Sequence, residues 1–412
     1  MRRPRRRVVA LVGVGLLVLA LVLAGTAVAL RLLEDDAGPS AAPAGAPRPV
    51  VDGNRLVDSR SGRTWVPRGV TWSSFETACA QGWGLSALDA ATGSEPGDPT
   101  PYAAQADALR SWGIDTVRLP LNQDCWLGTR DAPVGDGRTE RTSIDYREAV
   151  GTFVDALNTA GIVVVLDLAT RKREDTPEVE VLTSPDTDSL TFWRLVAGEY
   201  ADDPSVLFDA LDSPAVRAQG SGDARSSAWA CWRDGGCDAA ESPAETAGMQ
   251  DVVDTIRGAG AEQPVLLSGL DEGRDLGLWA EFAPTDDQLV AAFHADETGD
   301  CSTRACWDDV LTRLAEEVPV LTSDLRADRP TGSALVGDHL AWAQERQVGA
   351  LLWVWAARTG DPSALVRDLG GSPTPWGRQA RAWFLDGTLP GRPPAQEDRT
   401  TGPEDPSETP DQ

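Results

Sequence analysis

Eight short apolar runs, rich in β-branched and aromatic residues, recur along the chain. They are Val66–Trp72, Thr116–Leu121, Ile162–Leu168, Val206–Leu211, Pro264–Leu270, Gln288–Phe293, Val318–Leu325 and Gly349–Trp355. Continuous apolar runs of this length predict strands buried on both faces. Between them lie stretches with helical spacing of apolar positions: Tyr102–Trp112, Tyr146–Ala160, Leu190–Tyr200, Glu245–Gly260, Cys306–Glu316 and Ser333–Arg346. Strands that alternate with helices pair in parallel, and eight such units close into a (β/α)8 TIM barrel. Ahead of the first run, Asn54–Asp58 and Arg63–Trp65 flank the turn residues Ser59 to Gly62. That pattern predicts an N-terminal β-hairpin on the barrel floor.

Barrel active sites lie at the C-terminal ends of the strands. In chain order those ends supply Trp72, Ser73, Phe75 and Glu76; Asn122, Asp124 and Trp126; Asp167, Ala169 and Arg171; Asp212 and Ser213; Asp271 and Glu272; His294, Asp296 and Glu297; Asp324 and Arg326; and Trp353, Trp355 and Arg358. Charged groups interleaved with Trp suit a polyhydroxylated ligand, because indole faces stack on sugar rings. The chain has only two His. The second, His339, falls in a predicted helix and reads as a surface residue. There is no paired CxxC, no Gly-x-Ser-x-Gly elbow, no phosphate-cradling glycine loop and no His-Glu-x-x-His. No metal and no cofactor is therefore expected.

The ends of the chain differ from its middle. Five of the first seven residues are Arg, and Val8–Leu30 follows as 23 residues without a charge. About 20 apolar residues span a bilayer, so residues 1–31 read as a transmembrane signal anchor. Ala27-Val28-Ala29 also has the form of a cleavage site, which leaves a cleaved signal peptide open. Both alternatives keep the Arg cluster inside and export the rest, giving a single-pass membrane or secreted protein. Residues 32–50 read as a Pro/Ala linker, 51–386 as the barrel, and 387–412 as a disordered acidic tail. The net charge of −27 excludes a nucleic-acid partner, which demands a basic face. The six Cys all follow the apolar segment, and an even count in an exported chain implies disulfides. Closeness in sequence suggests Cys231 with Cys237 and Cys301 with Cys306, leaving Cys79 with Cys125, one of 15 possible connectivities.

The barrel sequence resembles the cellulase-like retaining glycoside hydrolases of family five. NRLVDSRSGRTWVPRGVTWSSFE resembles that family's opening hairpin and first strand, and GIDTVRLPLNQDCWLG its second. YREAVGTFVDALNTAGIVVVLDLAT resembles the next helix and third strand, and VLFDALDSP the fourth. FHADETGDCSTRACW, EEVPVLTSDLRA and VGALLWVWAA resemble strands six, seven and eight. The resemblance implies a polysaccharide or cell-wall glycan of the β-glucan type as partner. Arg118 takes the place of the Arg that braces the nucleophile, His294 that of the strand-six His, and Trp353 or Trp355 that of the Trp flooring the sugar site, with Trp72 nearby.

Several positions depart from that pattern. The third strand ends Asp-Leu-Ala, with Ala169 where the family has His. The fourth ends Asp212-Ser213-Pro214 in place of Asn-Glu-Pro, so the acid/base Glu is replaced by Ser213. Asp296 replaces a Tyr, and Asp324 stands at the nucleophile position. Retaining hydrolysis needs two carboxyl groups about 5–5.5 Å apart, and a Ser hydroxyl is no acid at neutral pH. General acid/base help is worth roughly 10²–10⁴-fold, and about 1 Å of misplacement on the order of 10²-fold. The sequence thus predicts a glycan-binding, catalytically degenerate member. The alternatives are an active glycosidase in which Asp212 and Asp324 form a new carboxylate pair, and a structural surface scaffold. In the last two readings' absence, Asp212 and Asp324 simply pair with Arg118, Arg326 or Arg171.

Overall fold

The computed structural model describes residues 45–390 apart from 96, 136–139, 217–222, 237–245 and 330–333. Three short strands come first: β1 (Pro49–Asp52), β2 (Arg55–Asp58) and β3 (Arg63–Thr64), joined antiparallel in that order. Then follow β4 (Arg68–Trp72), β5 (Thr116–Asn122), β6 (Val163–Lys172), β7 (Val179–Val181), β8 (Val206–Asp209), β9 (Val265–Ser268), β10 (Leu289–Ala295), β11 (Val320–Arg326) and β12 (Gly349–Trp355). All of these except β7 pair in parallel, and β5 pairs with both β4 and β6, which closes an eight-stranded barrel. The predicted (β/α)8 architecture is therefore the observed one.

Two apolar layers hold the barrel. The inner one is filled by Val163, Val165, Leu207, Leu266, Val290, Ala292, Leu321 and Leu351, and Ala46 and Leu56 of the N-terminal segment complete it. The small antiparallel sheet thus plugs the floor. Its attachment is polar as well: Val51 N–H donates to Gln288 Oε1 at 2.8 Å, and Asn54 Nδ2 donates to the Ala315 carbonyl at 2.7 Å. The outer layer lies between strands and helices. Helix Ser143–Thr159 buries Tyr146, Val150, Phe153, Val154 and Leu157 at helical spacing. Its start is fixed by a capping box between Thr142 and Asp145.

Several expectations change. Ala46 and Pro49, placed by composition in the linker, are buried against the barrel. β6 runs past Leu168 to Lys172 because β7 pairs with its end as a hairpin. Helices Ala224–Asp234 and Pro375–Asp386 were not foreseen, and the predicted helix over Cys306–Glu316 includes a π-turn at Trp307–Leu311. His339 is the clearest correction. It is fully buried, with Nε2 2.8 Å from Thr322 Oγ1 and its ring against Trp307 and Trp342. Burial pushes its pKa down to about 3, so it is a neutral core side chain.

Disulfides join Cys79 to Cys125 and Cys301 to Cys306. Cys231 is also disulfide-bonded, while Cys237 lies outside the described residues. The predicted membrane segment Val8–Leu30 and the tail from 391 onward lie outside them too. Among the described residues no helix is long and apolar enough to cross a membrane. The bridge from Cys79 to Cys125 ties the loop after β4 to the turn after β5 across 46 residues of sequence. Replacing both by Ser should cost about 3–4 kcal/mol from the entropy of the unfolded chain, read as a fall in the denaturation midpoint.

Candidate active site

The strand period of two decides what faces the barrel interior. Val163 and Val165 point inward, so Asp167 does. Leu207 is followed by Asp209, Leu266 by Ser268, Ala292 by His294 and Leu351 by Trp353, while in β11 an irregularity between Thr322 and Leu325 breaks the period and sets Asp324 opposite His294. The apolar inner layer therefore gives way, toward the C-terminal ends, to a polar layer.

Arg118 of β5 is its centre. Its Nε donates to Asp209 Oδ2 at 2.9 Å and its Nη2 to Asp212 Oδ1 at 2.6 Å, and Asp167 Oδ2 lies 3.2 Å from Nη2. Arg118, Asp167 and Asp209 are wholly buried. One cation among three carboxyl groups cannot keep all three ionised. Burial raises Asp167 well above the usual carboxylate range and Asp209 to about 7, with Arg118 opposing both shifts. Asp212 goes the other way: burial works against its charge, but Arg118, His294 and two hydrogen bonds hold it well below its ordinary value. Burial likewise opposes the charge of Arg118, and the three carboxylates outweigh it. Both oxygens of Asp167, Asp209 Oδ1, Arg118 Nη1, Ser268 Oγ, Ser323 Oγ and His294 Nε2 are buried without a hydrogen-bond partner among the described residues.

Above this layer the predicted site residues separate. Ser213 Oγ donates to Asp212 Oδ2 at 2.8 Å. His294 Nε2 stands 3.9 Å from Asp212 Oδ1. Its ring lies over Gly273, where any Cβ would come within 2.6 Å of His294 Cγ and where φ is +85°. Burial lowers the His294 pKa against the pull of Asp324 and Asp212, so the ring is neutral near pH 7. Asp324 neighbours His294 in register across β10 and β11. Arg326 grips it from two sides, with Nε 3.1 Å from both oxygens and Nη2 2.8 Å from Oδ2. The same guanidinium lies 4.3 Å over the Trp353 ring, within cation–π range.

Other predicted residues are placed differently. Asp296 caps the turn after β10, accepting from Thr298 N at 2.7 Å and Gly299 N at 3.0 Å, with Arg274 3.4 Å away. It does not stand free in the cleft as a replacement for a Tyr. Trp72 and Trp355 are buried, packed on Phe153 and Trp112 respectively, so neither offers an open ring face. Trp353 is the half-buried one of the three. Asp124 and Trp126 are core, Asp124 holding the Lys172 N–H at 2.8 Å. Arg171 pairs with Glu180 and Asp186 at the side, away from Asp212 and Asp324. Ala169 is buried and provides no polar group.

Two features were missed, Asp209 and Trp83. Asp209 was legible from its parity with Leu207 but was masked by its apolar neighbours. Glu76, expected at the end of the first strand, takes up Ser73 Oγ and Ser74 N and faces Arg358 Nη2 at 3.7 Å, and burial raises its pKa. Trp83, exposed beside β4, borders a cavity of about 390 Å3 that also touches Trp72, Trp355 and Arg358. Among the described residues no group of three or more His, Cys, Asp or Glu could hold a metal ion.

Residues 76–358 match the family described as cellulase, glycosyl hydrolase family 5. Among solved structures, the chain is similar to a β-glucanase from Saccharophagus degradans, at 16% identity and a TM-score of 0.60, covering 83% of this chain and 94% of that one. The same enzyme has been solved in complex with cellotetraose. It is also similar to the catalytic domain of endoglucanase Cel5A from Thermobifida fusca, at 15% identity and a TM-score of 0.56, covering 82% of this chain and 97% of that one. A major endoglucanase from Xanthomonas campestris pv. campestris matches at 15% identity and a TM-score of 0.57, over 82% and 99% of the two chains. No curated protein matches the chain in sequence.

The Arg118 cluster makes stability depend on pH. Asp209 is protonated in the folded state up to about pH 7 and releases its proton near pH 4 when unfolded. The stability it contributes is therefore complete below about pH 4 and lost as pH rises through 7. Asp209→Asn keeps an acceptor for Arg118 Nε but cannot ionise. Between pH 5 and 8 the wild type should lose on the order of 2 kcal/mol more than the variant, measured by denaturant unfolding. Equal losses would assign the proton elsewhere.

Proposed function

The chain belongs to glycosyl hydrolase family 5, the cellulase family, and from that premise we propose that it is a glycan-binding member with little or no hydrolytic turnover. Its ligand is of the β-glucan class, as the cellotetraose bound to its structural neighbour suggests. The Arg-rich start and the apolar segment after it support presentation at the outer face of a membrane, or secretion if that segment is cleaved.

One observation carries the reading: Arg326 occupies both halves of the reaction centre. It neutralises Asp324, the group at the nucleophile position, and covers the Trp353 face on which a sugar would rest. The other half of the chemistry is absent as well. Ser213 has no proton to give at neutral pH, and its hydroxyl is spent on Asp212. Asp212 is held as a carboxylate by Arg118, so it is a poor acid. A sugar that displaces Arg326 from Trp353 could be bound but would find no acid to protonate its leaving oxygen.

A second reading has one observation in its favour. Glu76 is a buried carboxyl at the same mouth whose pKa is raised. A raised carboxyl pKa is the direction that suits an acid catalyst. In that reading Glu76 serves a rearranged pair with Asp324.

Purified full chain should bind cello-oligosaccharides in calorimetry, with a change in Trp fluorescence. It should release no product from aryl β-glycosides or soluble β-glucan. Trp353→Ala should weaken binding about tenfold through loss of the stacking face. Arg326→Ala should tighten it about two- to fivefold by removing a competing cation–π contact. Turnover that disappears in Asp324→Ala and in Glu76→Gln would sink the non-hydrolytic reading in favour of the second.

A further inference from the structure

The cavity beside β4 and β12 has a composition at odds with the rest of the chain. The protein carries 64 acidic residues, yet no carboxylate lines this cavity, and Arg358 is its one charged group. About 390 Å3 is within the range of ligand pockets. One wall is Trp83, 41% exposed, whose indole N–H donates to Gln81 Oε1 at 2.9 Å and is thereby oriented. Ser73, Ser74 and Thr77 add hydroxyl groups around it.

Arg358 is held from one side only. Its Nη2 meets Ser73 Oγ and lies 3.7 Å from Glu76 Oε1, both buried beneath it. No described residue accepts from its Nε or Nη1, and 41% of the side chain is exposed. With Nη2 engaged, Nε and Nη1 point to opposite sides of Cδ and act as two separate donors, which still lets the cation take a carboxylate oxygen through a charge-assisted hydrogen bond. Next to it on the barrel rim, Arg326 is spent on Asp324 through Nε and Nη2 and has Nη1 to spare, with 45% of its side chain exposed.

We propose that, within the β-linked glycans of that reading, this cavity adds a preference for the carboxylate-bearing form, a β-linked glucuronate over the neutral glucan, with a ring on Trp83 and its carboxylate on Arg358. The inference rests on the glycan-binding reading above and names its ligand class. The lack of a lining carboxylate removes the repulsion that most of this acidic surface would impose. At about 0.15 M salt the screening length is roughly 8 Å, so distant acids on the chain weigh little against a guanidinium in contact.

The test compares two oligomers of one backbone, cellohexaose and its fully C6-oxidised form, the β-1,4-linked glucuronate hexamer. Each is titrated calorimetrically into the full chain at about 0.15 M salt. The glucuronate should bind at least about tenfold more tightly, the scale of one charge-assisted hydrogen-bonded pair. Arg358→Gln should bring the two ligands to within about twofold by weakening the glucuronate, and Arg358→Lys should restore part of the preference. Trp83→Ala should weaken both. Equal binding in the wild type, or tighter binding of cellohexaose, overturns this inference and leaves glycan binding intact. Binding of neither overturns both. The wild-type comparison needs no variant, so a folding defect in Arg358→Gln cannot decide it.

Discussion

The buried guanidinium of Arg118 is the constraint around which the upper barrel is arranged. It reaches from β5 to a carboxyl on β6, one on β8 and one just beyond β8. Removing one partner from a buried charge costs about 3–5 kcal/mol, so these strand ends are locked to one another. The lock also sets protonation. Three carboxyl groups compete for one cation, and the outcome is an ionised Asp212 with protons held at Asp167 and Asp209. Every statement about Asp212 as a chemical group follows from that competition.

A second arginine governs the mouth. Arg326 lies two residues beyond Asp324 on the same strand, close enough to grip it and to reach across to Trp353 on β12. The contact satisfies a buried carboxylate and an aromatic face with one side chain. Both groups therefore already have a partner within the barrel. Beside it, Arg358 stands over buried Glu76 with its outer edge unengaged among the described residues. At these two places a guanidinium faces outward over a buried carboxyl group.

The sequence by itself determined the fold. Runs buried on both faces leave few arrangements other than a closed parallel sheet, and the two-residue period fixes which side chains meet inside. It also determined which side chains stand at Ala169, Ser213 and Asp324, because these are matters of residue type. What it did not determine was partnership. Asp212 and Asp324 were each open to pairing with an arginine or with each other, and only the assembled barrel brought Arg118 to the first and Arg326 to the second. Trp72 and Trp355 carry the same side chain as Trp353 and Trp83, yet helix packing buries the first two and leaves the others in reach of solvent. His339 read as a surface residue from its place in a predicted helix, and the core instead buries it against Thr322. Burial and pairing depend on residues far apart in sequence, and electrostatic energies depend on distance and on access of water. Those two quantities belong to the tertiary structure alone.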